Sequence, residues 1–235
     1  NNAHKGTFGT ALVVAGSVNY TGAALLAGQA AYRAGAGMVT LAVPEPLYPA
    51  LAGQFPEATW LVLPDAVWVI AEEAVEVIWK NVQRATAMLI GPGFGLEEPT
   101  AAFLSQLLTG QHKPGAGKMG FIRPEKEGAS KNETALPPLV IDADGLKLLA
   151  RIPRWSAYLP APAVLTPHPG EMSVLTGLSR DAIQADRLNL ARKYSQEWGH
   201  VVVLKGAFTV VAEPGGDCAV IPVATPALAR AGTGD

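Results

Sequence analysis

Short apolar segments alternate with longer amphipathic segments along most of this chain, and this alternation is the feature that most restricts its fold. Runs such as Ala11-Leu-Val-Val-Ala15 and Ala87-Met-Leu-Ile90 are typical of buried strands, and helical spacing follows them. Strands joined by helices run parallel, because a parallel connection needs a crossover of roughly a dozen residues. After Trp198, strands follow one another directly. We therefore predict one α/β domain over residues 1–235, with a mostly parallel central sheet, helices on both faces and antiparallel strands near the C-terminus.

The predicted elements follow from the period of the apolar residues. Strands are predicted at residues 11–15, 38–43, 60–63, 87–90, 139–141, 163–165, 201–204, 208–212 and 218–223. Helices are predicted at residues 22–33, 70–85, 98–108, 146–150 and 181–198, with Thr21 as a candidate cap of the first. Gly215-Gly-Asp217 is predicted to turn the last strand pair. Residues 110–138 have no apolar period, so we predict a mobile, exposed insertion on the rim of the sheet.

Composition excludes several classes of protein. With 18 basic and 20 acidic residues the net charge is -2, and no basic stripe suggests a nucleic-acid partner. Cys218 is the only cysteine, which excludes a disulfide framework and a cysteine zinc site and favours a reducing compartment, so we expect a cytoplasmic protein. No apolar run reaches the roughly 18 residues that a membrane span needs. The chain starts at Asn1 without Met or a signal-peptide pattern, so we expect both ends to be cut from a longer polypeptide. We also expect a homo-oligomer.

Polar or glycine-rich turns follow strand after strand. They lie at residues 16–17, 91–95, 142–145 and 166–171. In open α/β sheets, ligands bind beyond the carboxyl ends of the strands, so four such turns predict a binding site at this edge. The site is not a P-loop, because Gly-x-x-x-x-Gly-Lys-[Ser/Thr] is absent. The 91–95 turn lacks the glycine spacing of a dinucleotide fingerprint, and Pro92 removes an N–H donor, but the turn still suits close approach of a ligand.

Two further stretches each allow two interpretations. His168 follows a buried strand and is either a packed or surface residue or part of the site, and Glu171 three residues later could act through Mg²⁺ or its water shell. Lys205-Gly-Ala-Phe-Thr209 is either a plain β-turn or a grip for the phosphate and ribose of a nucleotide.

The final Gly232-Thr-Gly-Asp235 is also open to two interpretations. Its turn leaves N–H groups free to face an anion, and a helix starting just after it would add its dipole. Asp235 is then either a base that takes a proton from a substrate hydroxyl or a helix cap.

Together these motifs identify a family. From end to end the chain resembles the ADP- or ATP-dependent NAD(P)H-hydrate dehydratases of the ribokinase-like superfamily. The matching motifs are His4-Lys-Gly6, Gly16-Ser17, Tyr20-Thr-Gly-Ala-Ala24, Arg33-Ala-Gly-Ala-Gly37, Ile90-Gly-Pro-Gly93, Asp142-Ala-Asp-Gly-Leu146, Leu165-Thr-Pro-His-Pro-Gly-Glu171, Lys205-Gly206 with Thr209, and Ala231-Gly-Thr-Gly-Asp235. Gly-Thr-Gly-Asp alone is shared with sugar and vitamin kinases, whereas the joint set is far more specific.

The resemblance implies a reaction and its residues. A hydrated cofactor, NADHX or NADPHX, is restored to NADH or NADPH after its hydroxyl, deprotonated by Asp235, attacks the terminal phosphoryl group of ADP or ATP. The residues implied to contact the hydrated cofactor are Ala23, Gly93, His168 and Asp235. Those implied to hold the nucleotide are Lys205, Gly206, Ala207, Phe208, Thr209 and Gly234. Glu171 is tied to Mg²⁺ through water, and His168 in place of the superfamily's Asn favours ADP over ATP.

Two departures from the family leave rival functions open. The 110–138 insertion is longer than the family's usual connection, and the helix expected after Asp235 is not in the sequence, so the activity of this polypeptide by itself is open. The rivals are a ribokinase-like kinase of a small hydroxylated metabolite and a nucleotide-binding remnant without catalysis.

Overall fold

A nine-stranded sheet forms the centre of the computed structural model, which describes residues 5–110 and 135–225. Its strands are β1 (Thr10–Val14), β2 (Met38–Pro44), β3 (Thr59–Leu63), β6 (Ala87–Ile90), β7 (Leu139–Ile141), β8 (Val164–Leu165), β9 (Val201–Leu204), β10 (Val210–Ala212) and β11 (Cys218–Val220). A separate antiparallel pair consists of β4 (Asp65–Ala66) and β5 (Val69–Ile70). The order of the large sheet is β11-β10-β9-β8-β7-β6-β1-β2-β3.

The direction of the strands confirms the predicted sheet. From β9 to β3 every neighbouring pair is parallel, whereas β10 is antiparallel to β9 and β11 is antiparallel to β10. The predicted turn between the last two strands is also confirmed. Gly216 has a φ of 99°, and the Glu213 N–H donates to the Asp217 carbonyl at 3.0 Å.

Helices lie on both faces of the sheet, as predicted. They are α1 (Thr21–Arg33), α2 (Tyr48–Ala52), α3 (Ala74–Asn81), α4 (Glu98–Thr109), α5 (Asp144–Leu149), α6 (Pro169–Thr176), α7 (Arg180–Ala185) and α8 (Arg187–Trp198). Successive strand residues point to opposite faces. Leu12 and Val14 of β1 accordingly share a core with α3, α4 and α5, whereas Val13 shares a core with α1 and α2. None of the helices in the described ranges is long and apolar enough to cross a membrane.

The predicted helix at 70–85 is wrong at both ends, since α3 covers only Ala74–Asn81. Ile70 belongs to β5, where it pairs with Asp65, and its carbonyl accepts a hydrogen bond from the Thr100 hydroxyl at 3.2 Å. Buried apolar residues occur in strands as well as in helices, so the apolar periodicity could not distinguish the two here.

The predicted continuous helix at 181–198 is also wrong. It is interrupted at Asp186, whose φ of -144° and ψ of 53° are not helical. The first piece, α7, begins one residue earlier than predicted because the Ser179 hydroxyl accepts a hydrogen bond from the Ala182 N–H at 3.2 Å. The break turns the chain so that Arg187, the first residue of α8, reaches the loop after β9.

Smaller differences concern helix starts. Thr21 is the first residue of α1 rather than its cap, and Tyr20 at the cap position makes no side-chain capping bond. The helix predicted from residue 146 begins at Asp144. Three elements were not predicted as such: α2, α6 and the β4–β5 pair.

Most of the predicted 110–138 insertion, residues 111–134, lies outside the described residues, and its mobility stays a prediction. Its described C-terminal end belongs to the fold. Leu136 packs against the core beside α3–α5, and the Pro138 carbonyl accepts a hydrogen bond from the Met88 N–H at 2.9 Å.

Candidate active site

Five loops meet at one edge of the sheet. They follow β1, β6, β7, β8 and β9, which are neighbours in the sheet and parallel. Parallel neighbours present their carboxyl ends at a common edge, so the four predicted loops converge and the 205–209 loop joins them.

The loops after β1 and β6 approach each other closely at glycine residues. Gly93 has a φ of 66°, and a Cβ built on it would lie 2.8 Å from the Cβ of Ala23 and 2.8 Å from the Cβ of Tyr20. The Gly16 N–H donates to the Pro92 carbonyl at 2.8 Å, which holds the two loops together. Two residues expected to bind the hydrated cofactor, Ala23 and Gly93, therefore lie side by side, and only a residue without a side chain fits at Gly93.

An ion pair joins the loops after β7 and β9. Lys205 Nζ lies 2.6 Å from Asp142 Oδ1 and 4.0 Å from Glu171 Oε2. Asp142 is 5% exposed, and its Oδ1 also accepts a hydrogen bond from the Ala143 N–H at 2.8 Å. The ammonium of Lys205 therefore points into the edge of the sheet, toward the two carboxylates.

His168 caps α6 in a reciprocal arrangement with Glu171. The His168 N–H donates to Glu171 Oε2 at 2.8 Å, and His168 Nδ1 accepts from the N–H groups of Gly170 and Glu171 at 2.9 and 3.2 Å. Burial and the nearby Lys205 ammonium lower the pKa of His168. The ring is therefore neutral at pH 7 with its proton on Nε2, which lies 3.2 Å from Glu171 Oε1.

Glu171 is 3% exposed, and burial raises its pKa to about 7. The His168 N–H and Lys205 oppose this rise because both favour the carboxylate form. Both oxygens of Glu171 face His168 atoms. In the described ranges no group of three or more His, Cys, Asp or Glu side chains could hold a metal ion. Because both Glu171 oxygens already face His168 atoms, they suit contact with Mg²⁺ through water better than direct coordination, and that contact stays a prediction.

Asp144 ties the 91–95 loop to α5 and also forms an ion pair with Lys147. Asp144 Oδ2 accepts a hydrogen bond from the Gly95 N–H at 3.1 Å, and Asp144 Oδ1 lies 2.8 Å from Lys147 Nζ. The hydrogen bond to Asp144 raises the pKa of Lys147. Asp144 therefore shapes the glycine loop.

The 205–209 loop brings the predicted nucleotide residues together. Gly206 has a φ of 146°, Phe208 has a φ of 57° and is 54% exposed, and the Thr209 hydroxyl donates to the Gly206 carbonyl at 3.0 Å. Sequence reasoning missed Arg187, whose guanidinium donates to the Leu204 carbonyl at 2.8 Å. It was missed because its position seemed to lie inside a continuous helix.

Sequence reasoning also gave no role to two features of this edge. Ser17 is buried, and its hydroxyl has no hydrogen-bond partner among the described atoms. A cleft of about 270 Å³ lies between α1 and the strands leading to the site. The residues lining the cleft are Ala27, Leu89, Pro92, Val140, Asp142, Thr166, Val203 and Lys205. The predictions for Gly234 and Asp235 fall outside the described residues and stay predictions.

Comparisons with known proteins point to one family. A profile of the NAD(P)H-hydrate dehydratase family matches residues 11–115 and 123–235. The bifunctional NAD(P)H-hydrate repair enzyme Nnr of Moorella thermoacetica is 36% identical over 235 residues, which are 100% of this chain and 40% of that protein. The chain thus spans well under half of that relative.

Two further relatives cover a larger share. The ADP-dependent (S)-NAD(P)H-hydrate dehydratase of Bacillus subtilis is 33% identical over 99% of this chain and 71% of that protein. A crystal structure of the Bacillus subtilis enzyme, co-crystallised with ATP and Mg²⁺, has a TM-score of 0.73 over 99% of this chain and 70% of that chain, at 31% identity. A ribokinase-like superfamily protein of Enterococcus faecalis, at 23% identity, has a TM-score of 0.74 over 100% of this chain and 70% of that chain, which shows a shared fold. This chain therefore belongs to the NAD(P)H-hydrate dehydratase family and has its ribokinase-like fold.

Proposed function

We propose that this chain carries out the nucleotide-dependent dehydration of NADHX or NADPHX to NADH or NADPH, with ADP as the preferred phosphoryl donor and ATP as the alternative. The observation that carries the proposal is the meeting of two unlike groups at one sheet edge in a member of this family. One is the uncharged contact between Ala23 and Gly93. The other is the polar cluster of Asp142, His168, Glu171 and Lys205.

The chemistry requires a better leaving group than hydroxide. The ring hydroxyl of the hydrate, deprotonated by Asp235, forms a bond to the terminal phosphorus of ADP, and the bond from that phosphorus to the bridging oxygen breaks to release AMP. The phosphate ester then loses its C–O bond, inorganic phosphate departs, and a proton leaves the neighbouring carbon to restore the ring double bond. Asp235 is proposed as the base because of its place in Gly-Thr-Gly-Asp.

Different described residues would bind the two substrates. Ala23 and Gly93 would bring backbone close to the hydrated ring, and neutral His168 would donate a hydrogen bond from Nε2. The 205–209 loop, with Gly234, would hold the nucleotide. Mg²⁺, when bound with the nucleotide, neutralises phosphate charge. On this chain Glu171 would meet it through water.

The proposal also includes the cellular location and the oligomeric state of the protein. We place the activity in the cytoplasm, where a chain with one cysteine remains reduced, and we propose a homo-oligomer. Light scattering on the purified protein measures its assembly, and a monomer at micromolar concentration would refute the second expectation.

The test is incubation of the intact protein with NADHX and either ADP or ATP. We expect reduced nicotinamide absorbance to rise together with free phosphate, faster with ADP, and not at all without nucleotide. A kinase would instead produce a stable phosphorylated product without free phosphate. A remnant would bind nucleotide and convert nothing.

A further inference from the structure

Arg187 holds the loop that is proposed to bind the nucleotide. Its guanidinium donates from Nη2 to the Leu204 carbonyl at 2.8 Å and from Nη1 to the Ala207 carbonyl. These two carbonyls lie on either side of Gly206, so the planar guanidinium bridges the first turn of the 205–209 loop. Two donors in a fixed fork hold such a turn in one geometry.

The same contact explains the glycine at position 206. A Cβ on Gly206 would lie 2.9 Å from Arg187 Nη2, and the φ of 146° is rarely adopted by other residues. The guanidinium therefore packs directly on the backbone of the loop. A larger residue at 206 would displace either the loop or Arg187.

Among the described residues, the positive charge of Arg187 has no carboxylate partner. Across residues 5–110 and 135–225, no carboxylate lies within ion-pair distance of its guanidinium. Its Nε is buried and has no hydrogen-bond partner among these residues. Burial lowers the pKa of Arg187, because the charged form loses solvent. A partly buried cation whose described partners are carbonyls alone favours an anion nearby.

We infer that Arg187 is a positioning residue for the phosphoryl donor: it holds the 205–209 loop in its binding shape and adds its positive charge beside the nucleotide phosphates. This inference rests on the proposed function, because that function assigns the loop to ADP or ATP. It adds a residue on α8 to a site otherwise formed by the loops after the strands and by the first turns of the helices that follow them.

The chain offers a matched control on the same helix. Arg192 of α8 also donates to a backbone carbonyl, from Nε to Gly216 at 3.1 Å, but Gly216 lies in the turn between β10 and β11. Arg187→Met and Arg192→Met thus each remove an arginine that bonds a hairpin carbonyl. Only the first touches the proposed nucleotide loop.

The experiment measures kcat, the KM for ADP and the KM for NADHX in the intact protein, together with ADP binding by calorimetry in the presence of Mg²⁺. We expect Arg187→Met to raise the KM and Kd for ADP at least about tenfold, the value of a charge-assisted hydrogen bond. The KM for NADHX should change less than about twofold. Arg187→Lys should recover part of the ADP affinity because it restores the charge, and Arg192→Met should leave both KM values unchanged.

Three outcomes in the variants would overturn the inference. One is unchanged ADP affinity in Arg187→Met, and another is an equal rise of both KM values with a lowered Tm, which indicates a structural role alone. The third applies if Arg187→Met fails to fold: Arg187→Lys then binds ADP with the same affinity as the unaltered protein. Unaltered protein that binds ADP but produces no NADH would refute the proposed function alone, since calorimetry still tests Arg187. Unaltered protein that binds no ADP would refute both.

Discussion

The two sides of the site are built by opposite means. Where the loops after β1 and β6 meet, Gly93 packs on Ala23 without a charge, and the contact depends on shape alone. Where the loops after β7, β8 and β9 meet, Asp142, Glu171 and Lys205 form a buried charged group. We call these the glycine side and the charged side. The difference teaches that the first side should respond to added volume and the second to pH and to loss of a partner.

The largest effect is expected from a residue that belongs to neither side. Asp235→Asn, in the intact protein, should lower the rate of NADHX repair by about 10²–10⁴-fold, because an amide cannot accept the substrate proton. ADP affinity should change little. Asp217→Asn, in the exposed turn after β10, is the control and should have no effect. A near-normal rate in Asp235→Asn would place the base elsewhere, with Asp142 and Asp144 as the next candidates.

The charged side should make stability depend on pH through Glu171. Its pKa is raised to about 7 in the folded protein from an ordinary value of 4.5, so the folded state binds more protons between these values. The stability that protonated Glu171 contributes is complete below pH 4.5 and is lost as the pH rises through 7, by up to about 3 kcal/mol.

Denaturant titrations at pH 4.5, 6 and 7.5, without nucleotide or Mg²⁺, test this dependence. Glu171→Gln should remove the part of the pH dependence that Glu171 contributes, because the amide resembles the protonated acid. Equal pH dependence in the variant and the unaltered protein would show that Glu171 does not titrate in this range.

Loss of an ion-pair partner on the charged side should lower the unfolding free energy by less than the pH change does. Lys205→Met leaves the buried Asp142 carboxylate with the Ala143 N–H as its remaining described partner. We expect a loss of about 2 kcal/mol in unfolding free energy, below the full cost of breaking a buried pair because part of Lys205 is exposed. Adding Asp142→Asn should restore much of the loss.

Lys147→Met is the matched control for this change, since Lys147 pairs with Asp144 at 2.8 Å but is more exposed. It should cost less than about 1 kcal/mol. Similar losses in the two methionine variants would show that burial adds nothing to the Lys205–Asp142 pair.

The smallest effect on stability is expected on the glycine side. Gly93→Ala places a Cβ 2.8 Å from Ala23 and Tyr20 at a positive φ, which should lower the unfolding free energy by about 1–2 kcal/mol at every pH. It should also raise the KM for NADHX while leaving that for ADP unchanged.

Gly22→Ala is the control for the glycine side, because no atom lies within 4 Å of the added Cβ and the position is helical. It should stabilise the protein slightly. A pH-dependent loss in Gly93→Ala, or a selective loss of ADP affinity, would contradict the division into two sides.

The sequence alone determined the class of the fold and the sheet edge at which the candidate site lies. Apolar periodicity reports local burial, so it identified the nine strands of the main sheet, and glycine or polar residues after them marked the edge where the loops meet. The motif from Leu165 to Glu171 predicted, through the family resemblance, that His168 and Glu171 belong to the site, and the structure shows them as a capping pair three residues apart.

Only the tertiary structure decided which of these residues meet. Lys205 pairs with Asp142 across 63 residues, and Gly93 packs on Ala23 across a similar span, because strand order brings those loops together. The break at Asp186 and the contact of Arg187 with the 205–209 loop likewise depend on packing between distant segments. Local spacing carries no information on such contacts, since they are set by which strands become neighbours in the sheet.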